Sequence, residues 1–318
     1  VENAAMDRLS RREIAQKMAI VMTERIHPEL MTCGDVVATG RYPYTNHFGL
    51  LTAKDREIVQ ESLRRVHALE LYDRDFREIS DGQRQRVMLA RAICQEPEII
   101  VLDEPTSFLD IRHKIELLNI LGEMAKKQGI TVVMSLHEID LAYKISDKII
   151  CVAGDTIEDF GTPDEIFTEE RISRLYGIEH GSYDTLFGSV ELQKPCGAPQ
   201  VLVIGGGGRG IPFYRTLQRL GIPHAAGILY ENDMDLRVAR ALAETVICAR
   251  AFEPVDAKTE ARARSLLNSV PYVADCGFVR GTYNRCNERL LHAAKEQGKT
   301  ILSSTKALLE TFGGHVPS

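Results

Sequence analysis

The stretch Ile99-Ile100-Val101-Leu102-Asp103-Glu104-Pro105 places four apolar residues directly before two carboxylates. The apolar run lies between Pro97 and Pro105 and predicts a short strand that is buried on both faces. In open α/β sheets, ligands collect at the C-terminal ends of the strands. Asp103 is therefore a candidate Mg²⁺ ligand and Glu104 a candidate base for an attacking water. The residues alone leave open a simpler role, in which Asp-Glu-Pro only ends a strand and begins a turn.

A second motif, Ser80-Asp81-Gly82-Gln83, stands ahead of this strand and begins a predicted helix. The segment that follows is mostly apolar and includes Val87, Leu89, Ala90 and Ile93. A helix N-terminus beside Ser and Gly offers free N–H groups and the positive end of the helix dipole to an anion. An ordinary N-cap is the alternative role of Ser80.

Together with two further motifs, these stretches resemble the ATP-binding-cassette (ABC) ATPases. Ile79–Gln83 resembles the signature motif of that family, and Val101–Pro105 resembles its Walker B strand. Ser107-Phe108-Leu109-Asp110 is similar to the D-loop, and Ser135-Leu136-His137-Glu138 to the switch-histidine loop. The four motifs stand in the order and spacing of the family, and the resemblance covers roughly residues 10 to 190.

The resemblance implies an ATPase whose cofactors are ATP and Mg²⁺. In such an enzyme Asp103 holds the metal, Glu104 is the catalytic base and His137 contacts the γ-phosphate. The ATP-binding residues that the resemblance implies are Ser80, Gly82, Gln83 and Asp110. Two cassettes would dimerise head to tail, so that the signature residues of one subunit close on ATP held by the other.

The sequence departs from the family pattern at three places. Thr23-Glu24-Arg25 stands where cassettes have a Gln that reaches the metal, and Asp81 stands where the commonest signature has Gly. We expect Arg84 or Arg86 to pair with Asp81 and turn its charge from the phosphates. No Gly-x-x-x-x-Gly-Lys-Ser/Thr loop occurs in the sequence, which begins with Val1. We therefore expect an N-terminally truncated cassette without Walker A, which binds ATP poorly and is inactive as printed.

Gly40-Arg41-Tyr42-Pro43 resembles the cassettes that serve importers of iron-siderophore, haem and cobalamin compounds. The resemblance implies an ATPase subunit that works with integral membrane permease subunits and a second ATPase subunit, and indirectly with a substrate-binding protein. Its place would be cytoplasmic, peripheral on the inner face of the cell membrane. The open alternatives are a cassette without a permease in nucleic-acid or ribosome biology, and a degenerate or regulatory cassette.

Composition supports an ordinary globular chain of 318 residues, 44% hydrophobic and 26% charged, which is long enough for two domains. No apolar run approaches the length of a membrane span. The formal net charge of −6 gives no reason to expect a nucleic-acid partner. The seven cysteines are scattered and never spaced as Cys-x-x-Cys, which is typical of a reducing compartment and indicates no zinc site.

A linker with Pro195, Gly197 and Pro199 precedes a second predicted domain. Val201-Leu202-Val203-Ile204 predicts a strand, and Gly205, Gly207 and Gly210 fit the dinucleotide fingerprint that follows it. A second nucleotide is therefore expected there, although glycines that only form a tight turn are the alternative. The predicted fold class is α/β, with an incomplete P-loop NTPase-like ABC ATPase domain over 1–194 and a small Rossmann-like parallel-sheet domain over 198–318. In the regulatory alternative this second domain senses a nucleotide or another small ligand.

Overall fold

The computed structural model of the protein describes residues 6–22, 28–46, 49–107, 109–178, 181–184 and 188–313. Its contacts divide the chain into two compact units, a first unit over Val1–Asp147 and a second unit over Lys148–Ser318. Thr23 and Glu24, which replace the expected Gln, and Phe108 of the predicted D-loop lie outside the described residues. The division predicted between 194 and 198 falls inside the second unit and stays a prediction.

The first unit alternates helices and strands. The described helices are α1 (Arg11–Lys17), α2 (Cys33–Ala38), α3 (Ala53–Arg65), α4 (Asp81–Cys94), α5 (Ile111–Gln128) and α6 (Ile139–Ile145). The described strands are β1 (Met18–Val21), β2 (Ile99–Leu102) and β3 (Thr131–Met134), and a 3₁₀ helix spans Thr39–Tyr44. Apolar residues recur every three to four positions from Thr52 to Leu71 and predict one amphipathic helix. In the structure this helix ends at Arg65, because His67 adopts φ 51° and the Ala68 N–H donates to the Leu63 carbonyl.

The three strands form a parallel sheet in the order β1-β2-β3, in which Ile20 is opposite Val101 and Val101 is opposite Val133. Ile100 and Leu102 of β2 are buried, together with Ala19 and Val21 of β1. Ile99 and Val101 are only half-buried and Ile20 is 51% exposed. The prediction of a strand buried on both faces was therefore wrong for β2, since the described residues cover one face fully and the other only in part.

The second unit begins with two antiparallel hairpins. The sequence from Lys148 to Gly161 predicts two short strands around Gly154-Asp155. The structure confirms this hairpin, which joins β4 (Ile149–Ala153) to β5 (Thr156–Gly161). It is followed by α7 (Pro163–Ile166) and α8 (Glu169–Leu175). The second hairpin joins β6 (Ser182–Asp184) to β7 (Ser189–Glu191), and α8 packs against β6.

The rest of the second unit is a five-stranded parallel sheet in the order β10-β9-β8-β11-β12. Its strands are β8 (Val201–Ile204), β9 (His224–Tyr230), β10 (Thr245–Ala249), β11 (Tyr272–Asp275) and β12 (Thr300–Leu302). Its helices are α9 (Ile211–Arg219), α10 (Met234–Leu242), α11 (Ala257–Ser269), α12 (Arg285–Glu296) and α13 (Thr305–Phe312). Separate apolar cores lie on the two faces of the sheet. The Rossmann-like α/β prediction is confirmed, and the strand order reverses between β8 and β11.

Candidate nucleotide-hydrolysis site

The ends of β2 and β3 bring the predicted catalytic residues of the first unit together. The two strands are parallel neighbours, so Asp103 and Glu104 after β2 lie beside Ser135 and His137 after β3. His137 Nε2 is 2.6 Å from Glu104 Oε1, and the His137 side chain is 75% exposed. The base and the histidine that the sequence predicted therefore form one hydrogen-bonded pair at the edge of the sheet.

The backbone of Glu104 is unusual, because its φ is 44°, in the left-handed region that non-glycine residues seldom adopt. Its N–H donates to Ser135 Oγ at 2.7 Å. The other carboxylate oxygen, Oε2, accepts a hydrogen bond from Ser107 Oγ at 3.0 Å. Glu104 is thus held at its backbone and at both carboxylate oxygens, with its side chain directed to His137.

Ser135 connects the residues of the site. Its hydroxyl accepts the Glu104 N–H and donates to Asp103 Oδ1 at 3.0 Å. Asp103 itself extends the sheet, since its N–H donates to the Val21 carbonyl at 2.9 Å. A single hydroxyl therefore orients the candidate metal ligand and the candidate base.

A second network supports the turn that follows Glu104. Thr106 is buried, and its Oγ1 donates to Glu138 Oε2 at 3.0 Å. Lys114 on α5 pairs with the other oxygen of Glu138. The hydrogen bond from Lys114 is the main cause that lowers the pKa of Glu138, and the bond from Thr106 acts in the same direction. Glu138 thereby joins α5 and the switch-histidine loop to the Pro105-Thr106 turn.

The signature residues lie at the N-terminus of α4. Ser80 Oγ accepts the Gln83 N–H at 3.3 Å, and Gln83 Oε1 accepts the Ser80 N–H at 2.9 Å, which forms a capping box. Asp81 pairs with Arg84 at 2.9 Å, as the sequence predicted. Both the N-cap role and the signature role of Ser80 are compatible with this geometry.

Gly82 and Asp110 both lie beside His113. Asp110 is the N-cap of α5, and its Oδ1 accepts the His113 N–H at 3.0 Å and lies 2.9 Å from His113 Nδ1. The hydrogen bond from the His113 N–H is the main cause that lowers the pKa of Asp110. A Cβ added to Gly82 would lie 3.5 Å from the His113 ring, which is an ordinary contact. The packing of this chain therefore gives no reason of its own for a glycine at position 82.

The sequence found the acidic and imidazole groups of the site but missed the side chains that hold them. Ser135 and Ser107 stood inside quoted motifs, and no contact was expected of either. Thr106 and Lys114 gave no signal of their own, because their bonds to Glu138 depend on how α5 packs over the loop after β3. Among the described residues, no three His, Cys, Asp or Glu side chains converge as a metal cage. Asp103 alone suits Mg²⁺, which keeps several waters and takes one or two carboxylates.

The predicted second nucleotide site lies in the second unit, in the loop 205–210 between β8 and α9, termed the glycine loop. Gly207 N–H donates to Asp233, and Gly210 N–H donates to Asp235. Gly205, Gly207 and Gly210 are thus brought into one turn, as the fingerprint predicts, and amide donors of that turn are bonded within the unit.

Comparison with known proteins matches two separate parts of the chain to different families. The family described as ABC transporter matches residues 1–107, and the MJ0874 family matches residues 224–314. An uncharacterised ABC transporter ATP-binding protein of Methanocaldococcus jannaschii is 42% identical over 210 residues, which are 66% of this chain and 72% of that protein. A petrobactin import ATP-binding protein of Bacillus anthracis is 36% identical over 59% of this chain and 70% of its own length. A cobalamin import ATP-binding protein of Halobacterium salinarum is 32% identical over 66% of this chain and 54% of its own length.

The chain belongs to the ATP-binding proteins of ABC transporters. Its enzyme class is the ABC-type transport ATPase, and its nucleotide is ATP. No helix in the described ranges combines the length and apolar character that crossing a bilayer requires.

Proposed function

We propose that the protein is the ATP-hydrolysing subunit that energises an importer of iron-siderophore, haem or cobalamin-type compounds. The observation that carries this proposal is the hydrogen-bonded set of Asp103, Ser135, Glu104 and His137 at the ends of β2 and β3. These groups supply a metal ligand, a base and a phosphate contact within one hydrogen-bonding network.

The residues fit ATP with Mg²⁺. Asp103 would hold the ion, and bound Mg²⁺ neutralises charge on the β and γ phosphates. Glu104 accepts the proton of the attacking water through its carboxylate, and His137 donates a hydrogen bond toward the γ-phosphate and orders that water. Ser135 holds the backbone of Glu104, and Ser107 holds its carboxylate. A Walker A loop, which is absent from the 318 residues, is required to cradle the phosphates.

The class of cargo is supported by two observations. Gly40-Arg41-Tyr42-Pro43 resembles a sequence motif of the cassettes in this importer group. Relatives are named for petrobactin, iron-hydroxamate, ferric enterobactin and cobalamin import. Cargo contacts lie on other subunits of such importers, so we assign the class and no single compound.

The proposed partners are integral membrane permease subunits and a second ATPase subunit, with a substrate-binding protein as an indirect partner. In a head-to-tail dimer Ser80, Gly82 and Gln83 would close on ATP bound by the other subunit. Packing within the chain does not require glycine at position 82, because a Cβ there would make only an ordinary contact. Closure on the ATP of the other subunit would account for this glycine. The protein would work in the cytoplasm, on the inner face of the cell membrane.

The proposal is tested by Glu104→Gln in a form of the ATPase that includes a Walker A loop. Because Gln cannot take the proton from water, we expect turnover to fall by a factor of about 100 or more while ATP stays bound and the dimer persists. Steady-state phosphate release and size-exclusion chromatography with ATP measure both effects. Glu116→Gln on α5, which removes a carboxylate paired with Arg112, is the matched control and should leave turnover unchanged. Unchanged turnover in Glu104→Gln would remove Glu104 from the role of base.

A degenerate or regulatory cassette is the second candidate, favoured by Asp81 at the signature position where the family commonly has Gly. ATP hydrolysis by a form of the ATPase with a Walker A loop would support the first candidate, and ATP binding without hydrolysis would support the second. The second nucleotide expected at Gly205, Gly207 and Gly210 forms no part of either proposal, because amides of that loop are already bonded to carboxylates.

A further inference from the structure

Backbone N–H groups of the glycine loop donate hydrogen bonds to acidic side chains of the same unit. Gly207 N–H lies 3.0 Å from Asp233 Oδ1 and 3.1 Å from Asp233 Oδ2. Gly210 N–H lies 2.8 Å from Asp235 Oδ2. Asp233 is the N-cap of α10, and Asp235 stands in the first turn of the same helix. The start of α10 is thereby tied to the loop that starts α9.

These amides belong to the region that binds phosphate in dinucleotide folds. There the strand-to-helix loop lies at the point where the strand order reverses, and its N–H groups and the helix N-terminus hold a pyrophosphate. The glycine loop meets this description, since it follows β8 beside the reversal between β8 and β11. We propose that Asp233 and Asp235 take the place of the phosphate, so that the glycine loop carries a built-in anion and binds no nucleotide.

Internal packing accounts for two of the three fingerprint glycines, Gly205 and Gly210, whereas Gly207 has a positive φ of 65° and open space beside it. A Cβ at position 210 would lie 2.8 Å from Asp235 Oδ2 and 2.8 Å from Cε2 of Tyr214, which is too close for any side chain. A Cβ at position 205 would lie 3.0 Å from the same Asp235 oxygen. Asp235 and Tyr214 therefore require glycine at these positions without any bound ligand.

The two carboxylates differ in how firmly they are placed. Asp235 is fully buried, and its Oδ1 has no hydrogen-bond partner, so it cannot turn out to solvent when a ligand arrives. Burial is the main cause that raises the pKa of Asp235, and the Gly210 N–H is the largest of the contributions that oppose this rise. Asp233 is half-buried and is the carboxylate that a phosphate would have to displace. A phosphate that displaced Asp233 would still lie near the charge of Asp235, which repels it.

The proposal is tested on the full chain by following the amide resonances of residues 206–211 by NMR while pyrophosphate or NAD⁺ is added. Because only the resonances of residues 206–211 are followed, a nucleotide that binds to the first unit does not count as binding at the glycine loop. The wild-type protein should show no saturable shift in the millimolar range. Asp233→Ser keeps an N-cap residue on α10 but is too short to hold the Gly207 N–H. Removal of a charge about 4 Å from the phosphate position should tighten pyrophosphate binding at least about tenfold.

Asp256→Ser is the matched control, because Asp256 caps α11 through the Thr259 N–H at 2.7 Å and does not contact the glycine loop. It should bind pyrophosphate as the wild type does. Saturable binding of NAD⁺ or pyrophosphate at the loop of the wild type would overturn the proposal, and so would an Asp233→Ser protein that binds no more tightly. If Asp233→Ser fails to fold, the titration of the wild-type protein with pyrophosphate and NAD⁺ decides whether the loop binds an anion.

Discussion

At the scale of single residues, the hydrolysis site depends on the backbone of Glu104. A non-glycine residue in the left-handed region costs about 1–2 kcal/mol, so the surrounding contacts must hold it there. The bond from its N–H to Ser135 Oγ does this, and the same hydroxyl donates to Asp103. Ser135 is therefore a positioning residue for both the base and the metal ligand.

We predict that Ser135→Ala lowers ATP turnover by about 10- to 100-fold and raises the Mg²⁺ concentration needed for half-maximal activity. Both changes follow from the loss of the hydroxyl that orients Glu104 and Asp103. Ser135→Thr keeps that hydroxyl and should restore most of both properties. The measurement is a Mg²⁺ titration of turnover in a form of the ATPase with a Walker A loop. Equal activity of the Ala and Thr variants would contradict the positioning role.

The residues of this site could be predicted only in part. The resemblance of the motifs predicted Asp103, Glu104 and His137 as site residues, and the structure brings these three side chains together at the ends of β2 and β3. The role of Ser135 could not be inferred in that way, since it depends on the cross-strand register of β2 with β3 and on the φ of Glu104. Likewise, the glycine fingerprint predicted the turn at 205–210 and left open whether a ligand or a side chain fills it.

At the scale of elements, the 3₁₀ helix Thr39–Tyr44 joins three other helices. Arg41 is 5% exposed, and its guanidinium contacts Asp55 of α3 at 2.9 Å, Glu96 at 2.7 Å and the Cys94 carbonyl of α4 at 2.9 Å. The Pro43 carbonyl accepts hydrogen bonds from α1. The Gly-Arg-Tyr-Pro stretch, which the sequence offered only as a subfamily resemblance, is therefore the joint that fixes α1, α3 and α4 to each other.

Gly40 is the tightest point of this joint. A Cβ there would clash with the Arg91 carbonyl oxygen in the backbone of α4. We predict that Gly40→Ala lowers the free energy of unfolding of the first unit by about 1–3 kcal/mol through overpacking. Gly122→Ala on α5 is the control, because its Cβ would make only a 3.5 Å contact with Ile145 and alanine favours a helix. By denaturant titration, the free energy of unfolding should be lower than wild type for Gly40→Ala and higher for Gly122→Ala. A Gly40→Ala protein as stable as the wild type would contradict the close packing.

At the scale of the whole molecule, the sequence and the contacts place the division of the chain differently. Composition puts the linker at 191–199, whereas the contacts assign everything after Asp147 to the second unit. Glu191 of β7 is buried and pairs with Arg215 of α9, and Lys194 pairs with Glu244 at 3.0 Å. Contacts between positions far apart in the chain cannot be inferred from the Pro and Gly residues of a local stretch. The linker residues could therefore be predicted, but their ion pairs with α9 and with Glu244 could not.

We predict that a fragment 181–318 is more stable than a fragment 198–318 by about 1 kcal/mol or more, because the longer one keeps the pairs of Glu191 and Lys194. Arg237 also lies 3.8 Å from Asp184 of β6, which adds a contact to the β6–β7 hairpin. Thermal and denaturant unfolding of the two fragments measure the difference. Glu191→Gln in the longer fragment is the matched control and should remove part of the gain, since the buried partner of Arg215 then loses its charge. Equal stability of the fragments would mean that 181–194 adds nothing to the parallel-sheet domain, and that this domain folds within the predicted boundary between 194 and 198.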